Sequence, residues 1–237
     1  QKHYVEKIVY LPSFQVNDSK DLPPDITLTR KDIGLPEEGF VFCCFNQIYK
    51  ITPSVLDSWV RILKQVKDSL FIIFSDNEVV ERNLTTEFIK RGFDHKRIIF
   101  TAKLDRPSYM ARYRVVDLFL DTSPCNAGTT ASDALKMGVP LITLKGKSFN
   151  SREAASILNS INLPELITST PEEYESLAIE LATNPEKLNA IKAKLNDNLS
   201  TAPLYDTKLF TKNLESAYTQ MYDRHHQGEE PEHIYVE

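Results

Sequence analysis

The chain has 237 residues and a formal net charge of −5 at pH 7, with 41% hydrophobic and 26% charged residues. This composition is typical of a globular protein and excludes a disordered or fibrous chain. No apolar run reaches the roughly 18 residues that a membrane span needs, and the first residues lack the apolar core of a signal peptide. The three cysteines, two of them adjacent, form neither a disulfide framework nor a zinc spacing. We therefore expect a reducing, cytoplasmic compartment, and the acidity disfavours nucleic acid as a partner.

Residues 1–38 contain one short apolar run and then a stretch rich in Pro and Asp, so we predict a lead-in or linker segment. From Gly39 onward, uninterrupted apolar runs alternate with segments of helical periodicity. Such runs are typical of strands that are buried on both faces. Strands are predicted over 40–45, 70–74, 97–100, 118–120 and 140–144. Helices are predicted from Thr52 or Ser54 to Val66 and over 78–91, 107–115, 130–137 and 151–159.

This alternation predicts an α/β fold with a single Rossmann-like, doubly wound parallel sheet, and we assign it to residues 39–205. After Ile167 the pattern becomes entirely helical, with helices over 171–182, 185–199 and 207–224. Residues 206–237 are predicted to form a C-terminal helix followed by an acidic, frayed tail.

Polar and cationic residues follow four of the predicted strands. In an open parallel sheet, ligands bind at these carboxyl ends. The residues concerned are Asn46, Gln47, Tyr49 and Lys50, then Lys103, Asp105 and Arg106, then 121–130, and finally Lys145, Gly146 and Lys147. Because this rim is cationic in an acidic chain, and lies beside helix N-termini, it suits a phosphate or a diphosphate.

The sharpest motif is the run from Asn126 to Thr130. Gly128 lets a ligand approach the backbone, the hydroxyls of Thr129 and Thr130 can donate hydrogen bonds, and the helix that starts there offers free N–H groups. Asp133, one turn later, is within reach of ribose hydroxyls. The motif is neither a Walker loop nor a GxGxxG fingerprint. Each residue alone is also explained as a helix cap, a first-turn acid or a solvated loop residue, so the coincidence at four strand ends favours the ligand.

No Ser-His-Asp arrangement and no metal-ligand cluster emerges from the sequence. Four of the five histidines lie near the termini, and His95 precedes a predicted strand, at the end of the sheet opposite to the ligand edge. We therefore expect no metal and no cofactor.

Taken together, the motifs resemble the C-terminal catalytic half of the O-linked N-acetylglucosamine transferase family, which includes the SPINDLY-type fucosyltransferases and bacterial tetratricopeptide-repeat relatives. The resemblance covers residues 5–225. The order and spacing of the matching motifs are more specific than any single motif. The matching stretches are Glu6-Lys7, Leu11-Pro12, 45–51, 97–100, 117–122, Cys125-Asn126, 128–130, 133–135, 137–140 and Ser151-Arg152.

The resemblance implies the C-terminal half of a GT-B glycosyltransferase that binds a nucleotide-sugar, with Lys50 as the catalytic residue. By position, Gln47 and Lys50 would contact the donor diphosphate, and Gly128, Thr129 and Thr130 would cradle it. Asp133 would bind ribose. Around the base, the resemblance places Leu104, Arg106, Tyr109 and Arg112.

Three positions depart from the animal O-GlcNAc transferases, which have Lys where Arg106 stands and His where Tyr109 and Gly128 stand. Arg106 keeps the charge with a different geometry, and Tyr109 can still stack on a base. Diphosphate binding thus stays an expectation, while the base and sugar are left open.

The expected activity is inverting transfer of N-acetylglucosamine from UDP-GlcNAc to Ser or Thr of proteins. The alternatives are GDP-fucose or a UDP-hexose as donor, or a non-catalytic interaction module on the same fold. The first GT-B domain and the acceptor-binding repeats are not within the 237 residues, so a protein acceptor would bind through them. The isolated chain is expected to bind nucleotide weakly and to transfer nothing, and part of the apolar face of its last helix is expected to be exposed.

Overall fold

The computed structural model describes residues 4–13 and 25–236. In chain order the strands are β1 (Val9–Tyr10), β2 (Val41–Cys44), β3 (Leu70–Phe74), β4 (Ile98–Thr101), β5 (Leu118–Leu120), β6 (Leu141–Leu144), β7 (Ile167–Thr168) and β8 (Ile234–Tyr235). Six of them form the main sheet, all parallel, in the spatial order β4-β3-β2-β5-β6-β7, and β1 pairs with β8 separately. The two central strands, β2 and β5, are buried along their whole length, as a sheet covered on both faces requires.

Eight α-helices connect and cover these strands in the described part of the chain. They are α1 (Pro53–Gln65), α2 (Glu78–Lys90), α3 (Arg106–Ala111), α4 (Thr129–Lys136), α5 (Glu153–Ser160), α6 (Pro171–Thr183), α7 (Pro185–Asn198) and α8 (Thr207–His226). The predicted doubly wound α/β fold is confirmed.

Local sequence explains where several helices begin. Thr52 caps α1 by accepting the N–H of Val55, and Pro53 occupies the first turn. Thr170 and Glu173 form a reciprocal capping box at the start of α6. The buried faces of α1 and α6 meet where the Trp59 indole N–H donates to the Tyr174 hydroxyl, 3.3 Å away.

The chain reverses its direction of winding between β2 and β5. From β2 it proceeds outward to β3 and β4, and from β5 it proceeds outward on the other side to β6 and β7. The register places Phe42 opposite Leu118. Because the loops after β2 and β5 diverge, they leave a crevice at the carboxyl edge of the sheet, where ligands bind in this fold class.

Two short strands differ from the sequence prediction. The region after Ile167 was predicted to be all helical, yet Ile167–Thr168 forms the edge strand β7. The tail was predicted to fray, yet Ile234 is buried and β8 pairs in parallel with β1. Two-residue strands carry too little periodicity to be found from sequence. The pairing of β8 with β1 also joins residues more than 220 positions apart.

The described part of the predicted lead-in packs onto the sheet domain. Leu35 is buried. The Arg30 guanidinium lies 2.8 Å from the Asp117 carboxylate and 2.7 Å from the Gly39 carbonyl. Residues 1–3, 14–24 and 237, which also fall in the predicted lead-in and tail, lie outside the described residues. The division into segments 1–38, 39–205 and 206–237 stays a prediction.

Candidate functional site

The site lies in the crevice between β2 and β5. The loop after β2 carries Gln47 and Lys50, and the loop after β5 runs from Asp121 to Gly128, where α4 starts. The structure thus brings together two of the predicted groups of residues, which are about 75 positions apart in sequence. We call residues 126–130 the cradle.

Lys50 reaches across the crevice to the cradle. Its ammonium donates to the Asn126 carbonyl over 2.7 Å. Asn126 is fully buried. Its side-chain amide donates to the Thr122 carbonyl and its backbone N–H donates to the Asn150 carbonyl, both over 2.8 Å. The catalytic candidate therefore has a fixed partner, which keeps its charge beside the cradle.

The N-terminus of α4 forms the other side of the cradle. Gly128 is the N-cap residue, and no side chain caps the helix, so its first N–H groups and its positive dipole end face the crevice. Thr129 is exposed, whereas the Thr130 hydroxyl donates to the Asn46 side-chain oxygen. The Thr130 hydroxyl, predicted to donate to a ligand, thus donates within the protein here.

A carboxylate lies against this helix start. A Cβ atom at position 128 would overlap Glu153 Oε1, a side-chain atom from α5. Glycine is therefore required at position 128 for Glu153 to lie where it does. A carboxylate in this place repels a diphosphate, so the charge of Glu153 opposes the binding of such a ligand. Sequence reasoning missed this residue, because no motif links position 153 to position 128.

Asp121 organises the floor of the crevice. Its Oδ1 accepts from the backbone N–H groups of Thr122 and Ala127, both at 2.7 Å, and from the Asn46 amide at 3.1 Å. Its Oδ2 accepts from the Thr143 hydroxyl at 2.7 Å. The sequence places Asp121 at a strand end, but it gives no indication that this residue joins three strands and the cradle.

The Asp121 carboxylate is buried without a counter-charge. No ion pair to it exists within the described residues. Burial raises its pKa to about 6, although the hydrogen bonds from Thr143, from the backbone of 127 and 122, and from Asn46 act to lower it. Desolvation thus outweighs four hydrogen bonds, and the group is still mainly ionised at pH 7.

Asp133 and Arg106 form a bidentate ion pair at the side of the crevice. The two guanidinium nitrogens lie 2.8 and 2.7 Å from the carboxylate oxygens. The Asp133 side chain is 6% exposed and that of Arg106 is 46% exposed. Both were predicted to contact the nucleoside, so the pair has to open, or to share its carboxylate, before Asp133 can accept from ribose hydroxyls.

Tyr109 and Arg112 form an aromatic and cationic stack next to this pair. The Arg112 guanidinium lies 3.9 Å from the Phe45 ring centre and 4.6 Å from that of Tyr109. The Tyr109 hydroxyl is 2.9 Å from that of Tyr113. Burial lowers the pKa of Arg112, and its Nε has no hydrogen-bond partner among the described residues. The Arg112 guanidinium is thus enclosed between two rings, with one donor unsatisfied.

The last two predicted residues lie at the rim. Gln47 is exposed, and Leu104 is 41% exposed. Leu104 and Arg112 line a mostly apolar cavity of about 260 Å³, together with Phe45, Ile99 and Phe100. The ten predicted site residues therefore occupy one edge of the sheet.

Two further observations bound the chemistry. Within residues 4–13 and 25–236, no three or more His, Cys, Asp or Glu side chains are grouped so that they could hold a metal ion. Over the same residues, none of the helices has the length and apolar character needed to cross a membrane.

Comparison with known proteins decides the family. Residues 4–214 match glycosyl transferase family 41. The chain belongs to glycosyltransferase family 41. The family 41 chain is 38% identical to a probable UDP-N-acetylglucosamine–peptide N-acetylglucosaminyltransferase of Arabidopsis thaliana; the match covers 98% of this chain and 25% of that protein. It is 34% identical to a UDP-N-acetylglucosamine–peptide N-acetylglucosaminyltransferase of Caenorhabditis elegans, with coverages of 91% and 19%. It thus spans a quarter of these relatives or less.

Solved structures agree with this assignment. A mutant of the O-GlcNAc transferase of Thermobaculum terrenum superposes with a TM-score of 0.77 at 31% identity, over 89% of this chain and 39% of that one. The HepE protein of Anabaena, solved in complex with UDP and glucose, shares the fold with a TM-score of 0.59 at 16% identity, over 80% and 51%. The predicted resemblance is confirmed, and so is the fold, a Rossmann-like half of a GT-B glycosyltransferase.

Proposed function

We propose that this chain is the donor-binding half of an inverting protein O-glycosyltransferase, which transfers N-acetylglucosamine from UDP-N-acetylglucosamine to Ser or Thr of proteins. The names of the relatives support this choice of donor and acceptor. The observation that carries the proposal is the convergence of the Lys50 ammonium and the uncapped start of α4 on the Asn126–Gly128 segment.

This arrangement suits a diphosphate leaving group. In an inverting transfer, the acceptor hydroxyl attacks the anomeric carbon and gives up its proton, ultimately to solvent. The bond to the β-phosphate oxygen breaks on the opposite face, and that oxygen keeps the electron pair. Lys50 and the N–H groups of α4 stabilise the charge that develops there. Loss of one donor of this kind typically costs about 10²–10³ in rate.

The remaining residues of the site have roles in binding. In this proposal Asp133 accepts from the ribose hydroxyls after Arg106 swings away, and Tyr109 and Arg112 contact the base. Gln47 and Thr129 lie at the mouth, on the diphosphate side. Protein acceptors would bind through parts of the relatives that this chain does not span. The absence of a metal requirement and a cytoplasmic location stay predictions.

Titration calorimetry of this chain with UDP and GDP tests donor binding. We expect UDP to bind more tightly than GDP. Lys50→Ala should weaken UDP binding at least tenfold, because a charge-assisted contact is lost. Lys67→Ala is the matched control, since it removes an exposed lysine next to the start of β3, at the opposite edge of the sheet.

Each outcome separates the alternatives. Tighter binding of GDP would overturn the choice of UDP as the donor nucleotide. Unchanged UDP affinity in both Lys50→Ala and Thr129→Ala would instead favour a non-catalytic interaction module. Transfer itself is tested in a protein that joins this chain to the preceding half found in its relatives, with and without a chelator.

A further inference from the structure

Four hydrogen-bond donors from different parts of the fold meet on Asp121. They are the backbone N–H groups of Thr122 and Ala127, the amide of Asn46 and the hydroxyl of Thr143. A carboxylate satisfies four donors because it only accepts hydrogen bonds. An asparagine would keep one acceptor oxygen without the charge, and its NH₂ group would face the Thr143 hydroxyl, which would then have to accept instead of donate. The four donors thus favour an anion where burial disfavours one.

The network continues from Asp121 to the start of α4. Asn46 donates to Asp121 with its amide and accepts from the Thr130 hydroxyl with its oxygen. Both side chains are held in place by burial, since Asn46 is 1% exposed and Asp121 is 2% exposed. The carboxylate therefore sets the position of Thr130 through one intermediate side chain, and that of Ala127 directly.

We propose that Asp121 is a positioning residue of the donor site, which holds the cradle so that the first N–H groups of α4 face the donor diphosphate. The inference rests on the proposed function. Asp121 itself does not touch the ligand. It acts through Asn46 on Thr130 and through the Ala127 amide on the turn that precedes Gly128.

A buried anion of this kind is costly for the fold, since no cation pairs with it in the described parts of the chain. Three of its four partners belong to the two loops that form the crevice, and the fourth, Thr143, lies behind it on β6. The hydrogen bonds to this carboxylate therefore stabilise mainly the two loops of the crevice rather than the core.

The test is a double-mutant cycle on UDP affinity, measured by calorimetry on this chain well below its melting temperature. Asp121→Asn should weaken UDP binding by about tenfold and Thr130→Val by less. The double variant should be weakened about as much as Asp121→Asn alone, because the Thr130 linkage is one of the two through which Asp121 acts. Thr130→Ser, which keeps the hydroxyl, should restore most of the affinity.

Thr143→Val provides a second route if Asp121→Asn does not fold. It removes one hydrogen bond to Asp121 without reaching the cradle, and should weaken UDP binding by about threefold, within the range of coupled networks. Thr168→Val is its matched control: Thr168 is buried one strand away, and its hydroxyl donates to the Thr143 carbonyl instead of to Asp121. This control should lower the melting temperature similarly and leave UDP affinity unchanged.

If the fold-changes in UDP affinity of Asp121→Asn and Thr130→Val multiply in the double variant, the two residues act independently, and the positioning role is wrong. The role is also wrong if Thr168→Val weakens UDP binding as much as Thr143→Val does. If Asp121→Asn does not fold, the same cycle is run with Thr143→Val and Thr130→Val. Fold-changes in UDP affinity that multiply in that double variant would likewise overturn the positioning role. A wild-type chain that binds neither UDP nor UDP-N-acetylglucosamine would refute the proposed function itself, and this role with it.

Discussion

Replacing Asp121 by Asn should change how the stability of the fold depends on pH. The folded carboxyl has a pKa of about 6, raised by burial from the value of 3.8 that applies to the unfolded chain. At a pH between these two pKa values, Asp121 is protonated in the folded chain and ionised in the unfolded chain. The stabilisation from this group is complete below the unfolded pKa and is lost as the pH rises through about 6.

The size of the effect follows from the two pKa values. A difference of about 2 units, at 1.36 kcal/mol each, corresponds to about 3 kcal/mol of unfolding free energy. Glu175 opposes it: although burial acts to raise the pKa of Glu175, hydrogen bonds from Arg61 and Ser58 lower it, so that acidification weakens the fold there. The comparison of wild type with Asp121→Asn at each pH cancels such contributions, because both proteins share them.

Urea unfolding from pH 4 to pH 7.5, followed by the fluorescence of the single, fully buried Trp59, measures this difference. The unfolding free energy of Asp121→Asn, minus that of wild type, should rise by about 2 kcal/mol over this range, since pH 4 already lies just above the unfolded pKa. A difference that stays constant with pH would mean that the four hydrogen bonds balance burial. A difference that falls with pH would mean that they outweigh it, and either result would refute the reasoning.

Three further predictions concern single contacts. Glu153→Gln should tighten UDP binding by about threefold to tenfold, since it removes a charge that repels the diphosphate; unchanged or weaker binding in calorimetry, against Glu172→Gln as a control on an exposed acid, would contradict this. If Asp133 takes the ribose hydroxyls, wild type should prefer UDP to 2′-deoxy-UDP and Asp133→Asn should lose that preference; an equal preference in both would argue against the contact. Thr170→Ala should lower the unfolding free energy by about 1 kcal/mol by opening a capping box, with UDP affinity unchanged, as urea titration and calorimetry can show.

Much of the site is local in sequence and was predictable for that reason. Residues 126–130 follow a buried strand and lead into a helix, whose first N–H groups have no partners within the helix. Lys50 follows β2 in the same way. The rule that ligands bind at carboxyl strand ends collected Gln47, Lys50, Arg106 and residues 128–130. The family resemblance, and not this rule, assigned Leu104, Tyr109 and Arg112 to the site.

What the sequence could not provide are the contacts between loops. The Arg106–Asp133 pair, the overlap of Glu153 with a side chain at 128, and the four donors on Asp121 all join residues that are distant in the chain or that a turn brings face to face. The edge strands β7 and β8 were missed because two residues show no period.

The amino-acid sequence by itself determined the fold class, because periodic burial of apolar side chains is a local property that alternates along the chain. Only the tertiary structure decided which polar groups face one another, since β2 and β5 become neighbours through the reversal in strand order. At that reversal a buried carboxylate can collect donors from separate loops, and no spacing of residues along the chain encodes such a meeting.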